Sequence, residues 1–191
     1  MAEAVKAAVE QVDVFKGLVD KDAQSLSVRS QYLFTLTAIY DATDELLSYR
    51  KGEDIPPKEM VAEVVEFWNV VASCVPDWAR VKAGKISSQD MRGAKISAHS
   101  VVLRAIGGIG AELKKALPRG DQGWKSSLGA LRDIDWRKDN QEWESVCIVA
   151  NSVVSNRQAR VATKAHIKQK LGMELSDVER AAIGEVAVET T

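Results

Sequence analysis

The sequence predicts an all-α fold, a compact multi-helix bundle of about seven to nine helices. Three observations carry that expectation. Apolar residues recur at steps of three and four along most of the 191 residues, the period of a helix with one buried face. Gly, Pro and Ser/Asp clusters punctuate the chain at helix-length intervals. No alternating strand–turn–strand pattern and no internal repeat is present. Helices of this kind bury their stripes against one another, and such packing needs only one core.

The elements follow in order. In residues 3–16, Val5, Ala8, Val12 and Phe15 form one stripe, and Gly17 closes the helix. A second helix is expected from Val28 to about Tyr49, capped by Ser25 or Ser27. Its run Leu33-Phe-Thr-Leu-Thr-Ala-Ile-Tyr40 also suits a strand, but Ala-Thr-Asp-Glu-Leu-Leu continues the helical pattern. Residues 52–57 read as a loop, and Pro57 begins a helix carrying Val61, Val64, Val65, Trp68 and Val71. Pro76 ends it, and residues 77–81 read as a short turn. Ser87 and Asp90 fit a capping box ahead of a helix through Met91, Ile96, Val101 and Ile106. Gly107-Gly-Ile-Gly110 is then either a break or a place of close helix packing. Helix resumes over 111–117, residues 118–123 form a loop, and helical pieces are expected at 124–133 and 141–154. A basic stretch follows, and Ser176 with Glu179 opens a last short helix. One domain is expected over 1–184, with 185–191 a frayed tail.

Composition narrows the function classes. Hydrophobic residues make up 46% and charged residues 28%, with a formal net charge of −1. No global field draws the chain to nucleic acid or membrane, so any such attraction must be local. The N-terminus has neither signal- nor transit-peptide character, and the apolar runs are too short to span a membrane, so a cytoplasmic location is expected. Cys74 and Cys147 lie in apolar contexts and read as small buried hydrophobes in a reducing compartment. A zinc site would need both cysteines to converge with His99 and His166, and no CxxC or HxxxH spacing supports that. No cofactor is expected. Neither an acid–base pair nor a nucleophile constellation appears, so an enzyme is not expected.

Local charge is more informative. Between Ser145 and Met173 there is no Asp or Glu, and residues 157–170 hold five Lys or Arg. On a helix, Arg157, Arg160, Lys164 and Lys168 fall within roughly 80° of arc, one continuous basic stripe. Ala159, Ala162 and His166 lie opposite. Such a stripe opposes itself by a few tenths of a kcal/mol per i,i+4 pair. Something outside the helix must therefore balance it, whether another part of the protein or an anion. A second acid-free segment, Met91 to Ala111, holds Arg92, Lys95, His99 and Arg104. His99 has no carboxylate at i±3 or i±4 and reads either as a packing histidine or as a contact.

Ile167, Leu171, Gly172, Met173, Val178 and Arg180 have the spacing of a helix-turn-helix, though Lys168 stands where a small buried residue usually lies. The glycine triplet lacks the preceding strand of a phosphate-binding fingerprint. Five tryptophans, Trp68, Trp78, Trp124, Trp136 and Trp143, either plug helix seams or, next to Arg137 and Lys138, stack on bases.

Several stretches together resemble one family. They are Phe15-Lys-Gly-Leu-Val-Asp-Lys21, Leu26-Ser-Val-Arg-Ser30, Leu33 to Tyr40, Glu66-Phe-Trp68, His99-Ser-Val-Val-Leu-Arg-Ala-Ile-Gly107, Ile134-Asp-Trp136 and Ile167-Lys-Gln-Lys-Leu-Gly172. In this order they resemble the C-terminal helical part of the DndB family of DNA sulfur modification proteins, which have a DGQHR domain. The resemblance covers about Phe15 to Ser176. It implies a bacterial system that replaces a non-bridging phosphate oxygen of DNA with sulfur (phosphorothioation), in which this member controls modification and transcription and binds promoter DNA. The name-giving Asp-Gly-Gln-His-Arg string is absent here. The chain is then a piece lacking that N-terminal domain or a short relative, and nucleotide chemistry tied to the motif does not carry over.

Two readings follow. In the first, Arg157, Arg160, Lys164, Lys168 and Lys170 meet DNA phosphates, with Arg180, Arg92, Lys95, His99 and Arg104 as a second arm. In the second, the chain docks another sulfur-modification protein, the missing domain or its own copy through exposed tryptophans and arginines.

Overall fold

The computed structural model describes residues 1–118 and 120–189. Nine α-helices are found among them: α1 (Ala2–Gln11), α2 (Leu36–Leu47), α3 (Pro57–Cys74), α4 (Pro76–Lys82), α5 (Ser88–Ala94), α6 (Ser100–Ala116), α7 (Gly123–Ser127), α8 (Arg157–Lys170) and α9 (Asp177–Glu189). Two ladders of two residues per strand complete the fold. β1 (Val19–Asp20) pairs in parallel with β2 (Phe34–Thr35), and β3 (Ile148–Val149) pairs antiparallel with β4 (Ser152–Val153). The architecture is mostly α, as the periodicity predicts.

The central element is α6, buried along most of its length from Val101 to Ala111. It lies between α2 and α8, while α1 packs on α3 and α9 on α8. Its glycines are the reason that three helices fit so closely. A Cβ on Gly107 would sit 2.1 Å from the Ala42 carbonyl oxygen, and one on Gly110 would sit 2.3 Å from Phe67 Cε2. The Gly-Gly-x-Gly run is thus a packing surface. The alternative of a break is corrected, because α6 passes through it uninterrupted.

An aromatic cluster fills the other half of the core. Phe15 and Phe34 meet edge-on with ring centroids 5.1 Å apart, Phe34 meets Trp78 at 5.1 Å, and Phe15 meets Trp68 at 5.7 Å. All five tryptophans are buried. Trp68 Nε1 donates to Thr43 Oγ1 at 3.1 Å, Trp136 Nε1 to the Leu131 carbonyl at 3.2 Å and Trp143 Nε1 to the Asp135 carbonyl at 2.8 Å. They plug seams. Neither base stacking nor docking through exposed tryptophans is available to them.

Several expected boundaries move. Helix does not begin at Val28, because residues 27–30 close a turn, with Ser30 N–H donating to the Ser27 carbonyl at 3.0 Å and Arg92 bound to its carbonyls, and Phe34–Thr35 forms a strand. The cap is Thr35, whose Oγ1 accepts from Ala38 N–H at 3.1 Å. Residues 76–82 form a full helix with Pro76 at its first position, where the missing N–H costs nothing. The expected helix from Ser87 onward is two helices, parted where Ile96 N–H donates to the Trp136 carbonyl at 2.9 Å. Residues 123–133 are α7 and a 3₁₀ turn, and residues 141–154 are a 3₁₀ turn and the β3–β4 hairpin. The two capping boxes form as expected: Asp90 N–H donates to Ser87 Oγ at 3.0 Å, and Ser176 N–H to Glu179 Oε2 at 2.8 Å. α9 continues to Glu189, past the point where a frayed tail was expected, and residues 190–191 lie outside the described residues. Both cysteines are free and buried, and burial pushes the Cys147 thiol up to about 11.

Candidate nucleic-acid interface

α8 forms because Asn156 caps it, accepting from Ala159 N–H at 2.8 Å, and because its inner face is built of small residues. Ala159, Ala162, Thr163, Ala165 and Ile167 are buried, so the helix lies close on α6. Gly108 supports this approach, since a Cβ there would touch Lys164 Cε at 3.4 Å. Gly172, at φ +67°, turns the chain away after the last residue of α8.

The stripe on its outer face divides into two halves with different surroundings. In the C-terminal half, Lys168 is 3% exposed and its Nζ lies 2.6 Å from Glu179 and 2.8 Å from Glu112. Lys164 Nζ lies 2.5 Å from Glu112 and 3.7 Å from Glu179, and Lys170 pairs with Glu142 at 2.5 Å. Burial alone would lower the Lys168 ammonium, yet hydrogen bonds with Glu112 and Glu179 outweigh it and hold it above its ordinary value. Burial likewise would raise Glu179, and hydrogen bonds from Lys168 and from the Ser176 backbone and hydroxyl hold it below the usual carboxylate range. Lys168 is thus buried against two carboxylates of the protein, and Lys170 stands in a surface ion pair with Glu142.

The N-terminal half is different. Arg157 is exposed, Arg160 is half-buried, and among the described residues neither side chain has an ion pair or hydrogen bond. No acidic residue occupies the first turn of α8. Arg157, the first residue of α8, stands at the positive end of the helix dipole, an arrangement unfavourable by some 0.3–1 kcal/mol, and Arg160 lies one turn further in, where that field has faded. They line a cleft of about 360 Å³ between α6 and α8, together with Arg104, Lys164 and one carboxylate, Glu45. Arg104 is oriented by Asp41 at 2.9 Å and Glu45 at 2.8 Å, and its Nε is buried without a partner. Of the ten candidate residues, the fold gathers Arg104, Arg157, Arg160 and Lys164 into one basic cleft.

A family model for DndB, described as DNA-sulfur modification-associated, matches residues 1–174. The chain belongs to the DndB family. No curated protein and no solved structure matches it. The family is associated with DNA sulfur modification. Among the described residues no helix is long and apolar enough to cross a membrane.

The remaining candidates of this DndB-family chain are placed elsewhere. Arg92 donates to the carbonyls of Ser27, Val28, Ser30 and Tyr32, at 2.9, 3.3 and 3.1 Å for the first three, so it fastens a loop. Lys95 pairs with the buried Asp77, which Arg80 also meets at 3.1 Å. Arg180 is bound to Asp177 and to the Leu175 carbonyl, each at 2.5 Å. His99 caps α6, its Nε2 is 3.3 Å from the Arg92 carbonyl, and burial pushes its pKa down, so it is a neutral packing residue at pH 7. In the helix-turn-helix reading α9 is the recognition helix; it opens with Asp177 bound to Arg180 and with Glu179 buried against Lys168. Sequence reading missed Glu112, Glu179, Asp41 and Glu45, the carboxylates that sort paired cations from unpaired ones. They come from α2, α6 and α9, so no local pattern along α8 announces them.

Proposed function

We propose that this chain is a non-enzymatic, DNA-contacting regulatory component of DNA phosphorothioate modification in the bacterial cytoplasm. Its cleft between α6 and α8 receives the DNA backbone, with Arg157 and Arg160 as the principal phosphate ligands and Arg104 and Lys164 as flanking charges. One observation carries the reading: every cation on the C-terminal half of α8 is neutralised by a carboxylate, while Arg157 and Arg160 are neutralised by none among the described residues. A folded protein that leaves two arginines uncompensated at a helix N-terminus gains most from an external anion. Membership of a DNA-sulfur modification-associated family favours DNA phosphate as that anion. Docking to another protein of the system is the weaker alternative, since the tryptophans that would anchor such a surface are buried.

The test is fluorescence anisotropy of a labelled duplex across a salt series. Each phosphate neutralised contributes roughly −0.9 to the slope of log affinity against log salt. Replacing Arg157→Ala and Arg160→Ala together is expected to make the slope shallower by about 2. Lys170→Ala, which removes a cation already paired with Glu142, is expected to leave the slope near the wild-type value. Absence of wild-type binding even at low salt defeats the reading.

A further inference from the structure

A second groove lies on the other side of the first turn of α8. It has a volume of about 690 Å³ and runs between that turn and the β3–β4 hairpin. Arg157 and Arg160 face the basic cleft, whereas Gln158 and Ala159 line this groove, so the start of α8 is the ridge between the two. Besides Asn156, whose Oδ1 caps α8, three exposed carboxamides line it: Gln141, Asn151 and Gln158. Among the described residues none of their side chains has a hydrogen-bond partner, although each can donate and accept at once. Lys138, Asp139 and Glu144 also contribute to the wall.

The hairpin itself is built to project. Val149 pairs with Ser152 across a two-residue turn, Ala150-Asn151, in which both residues have positive φ, 48° and 59°. That geometry matches the twist of a hairpin but suits Asn-Gly far better than a residue with a Cβ such as Ala150. Val149 is 55% exposed beside it. The whole hairpin belongs to the acid-free run from Ser145 to Met173, so the carboxylates of the groove, Asp139 and Glu144, lie outside it. Resting on the DNA reading above, we infer that this amide-lined groove reads base edges of duplex DNA, with Asn151 and Gln158 on adenine and Val149 on a thymine methyl. The chemistry fits. A carboxamide meets adenine N6 and N7 with one donor and one acceptor, a valine methyl packs on the C5-methyl, and a two-stranded ribbon enters the major groove. Phosphates held in the adjoining cleft would set the register of that reading.

The experiment selects bound sequences from a randomised duplex pool with the full chain, then compares affinities for the selected and a scrambled duplex. Two variants test the groove without threatening the fold. Gln158→Ala places a strong helix former at an exposed helical position. Asn151→Gly removes the reading amide at a position of positive φ that glycine adopts freely. The expected wild-type result is a motif rich in A·T pairs with a preference of at least tenfold, falling toward unity in each variant. Arg160→Ala should weaken both duplexes alike and keep their ratio. Selection of the same motif with the same preference by both variants overturns the inference and leaves the phosphate contact standing. A wild-type chain that binds DNA but enriches no motif also overturns it. Failure of the wild type to bind any duplex at low salt defeats both this inference and the DNA reading on which it rests.

Discussion

Lys168 illustrates how a residue's chemistry depends on neighbours remote in sequence. Placed on a helical wheel it is the fourth member of a basic stripe, equivalent to Arg160. In the fold its ammonium is buried between Glu112 of α6 and Glu179 of α9. The arc of the stripe was therefore legible in the sequence, but its division into paired and unpaired halves was not, because the deciding carboxylates arrive through helix packing. Removing one partner of a buried pair leaves the other charge uncompensated, which costs more than the pair itself contributes. Lys168→Met is accordingly expected to destabilise the chain by about 3 kcal/mol, at the low end for such a change because Lys164 stands 3.7 Å from Glu179. The further change Glu179→Gln keeps the capping acceptor and should recover more than half of that loss. Urea unfolding of the four proteins in this double-mutant cycle checks it. Equal and additive losses would show that the two side chains do not depend on each other.

At the scale of elements, the sequence was most readable where one force acts alone. Pro57, the Val61–Val71 stripe and both capping boxes stand where pattern and backbone chemistry place them. Elements were misread where two tendencies compete. Leu33–Tyr40 carries strand and helix preferences together, and the fold resolves them by a strand at Phe34–Thr35 and a helix from Leu36. Residues 141–154 had helical spacing, but a turn at Ala150-Asn151 makes them a hairpin. The glycines of α6 needed the partner helices to be understood, since helix propensity counts against them. Gly107→Ala would drive a methyl into a backbone oxygen that has no rotamer by which to retreat. We expect it to cost at least the 1–3 kcal/mol or so of an overpacked core. Gly93→Ala in α5, where nothing lies within 4 Å, should instead stabilise by about 0.4–1 kcal/mol. Thermal melts distinguish them: the first variant should melt lower than wild type and the second slightly higher. Similar behaviour of the two would contradict the close approach of α6 to α2.

The whole molecule combines buried titratable groups whose shifts all favour folding near neutrality. Burial, reinforced by Lys170 at His166 and by Lys138 and Arg92 at His99, depresses both imidazoles, against the opposing pull of Glu142 on His166 and of the Arg92 carbonyl on His99. A base whose folded pKa is depressed binds its proton more readily when unfolded. Its stabilisation is full above about pH 6.5 and declines as pH falls through that ordinary value toward the folded one. Glu179, held low, extends the loss below about pH 4.3. On the alkaline side, Cys147 is raised to about 11 by burial, so the unfolded chain ionises first and stability declines from about pH 8.5 upward. Tyr49, raised by burial and by its 2.5 Å hydrogen bond to Glu63, adds to that decline above about pH 10. A plot of Tm against pH is therefore expected to show a plateau near pH 6.5–8.5 with falling shoulders on both sides. In the acid shoulder each histidine contributes a slope of at most about 1.4 kcal/mol per pH unit. His166 packs edge-on to Trp143 with centroids 4.7 Å apart, so His166→Phe keeps an aromatic contact while removing one titrating group. Its acid shoulder should be about half as steep as the wild type's just below pH 6.5, with the alkaline shoulder unchanged. A wild-type Tm that stays flat from pH 7 to pH 5 would mean that the imidazoles accept protons as easily in the folded chain as in the unfolded one.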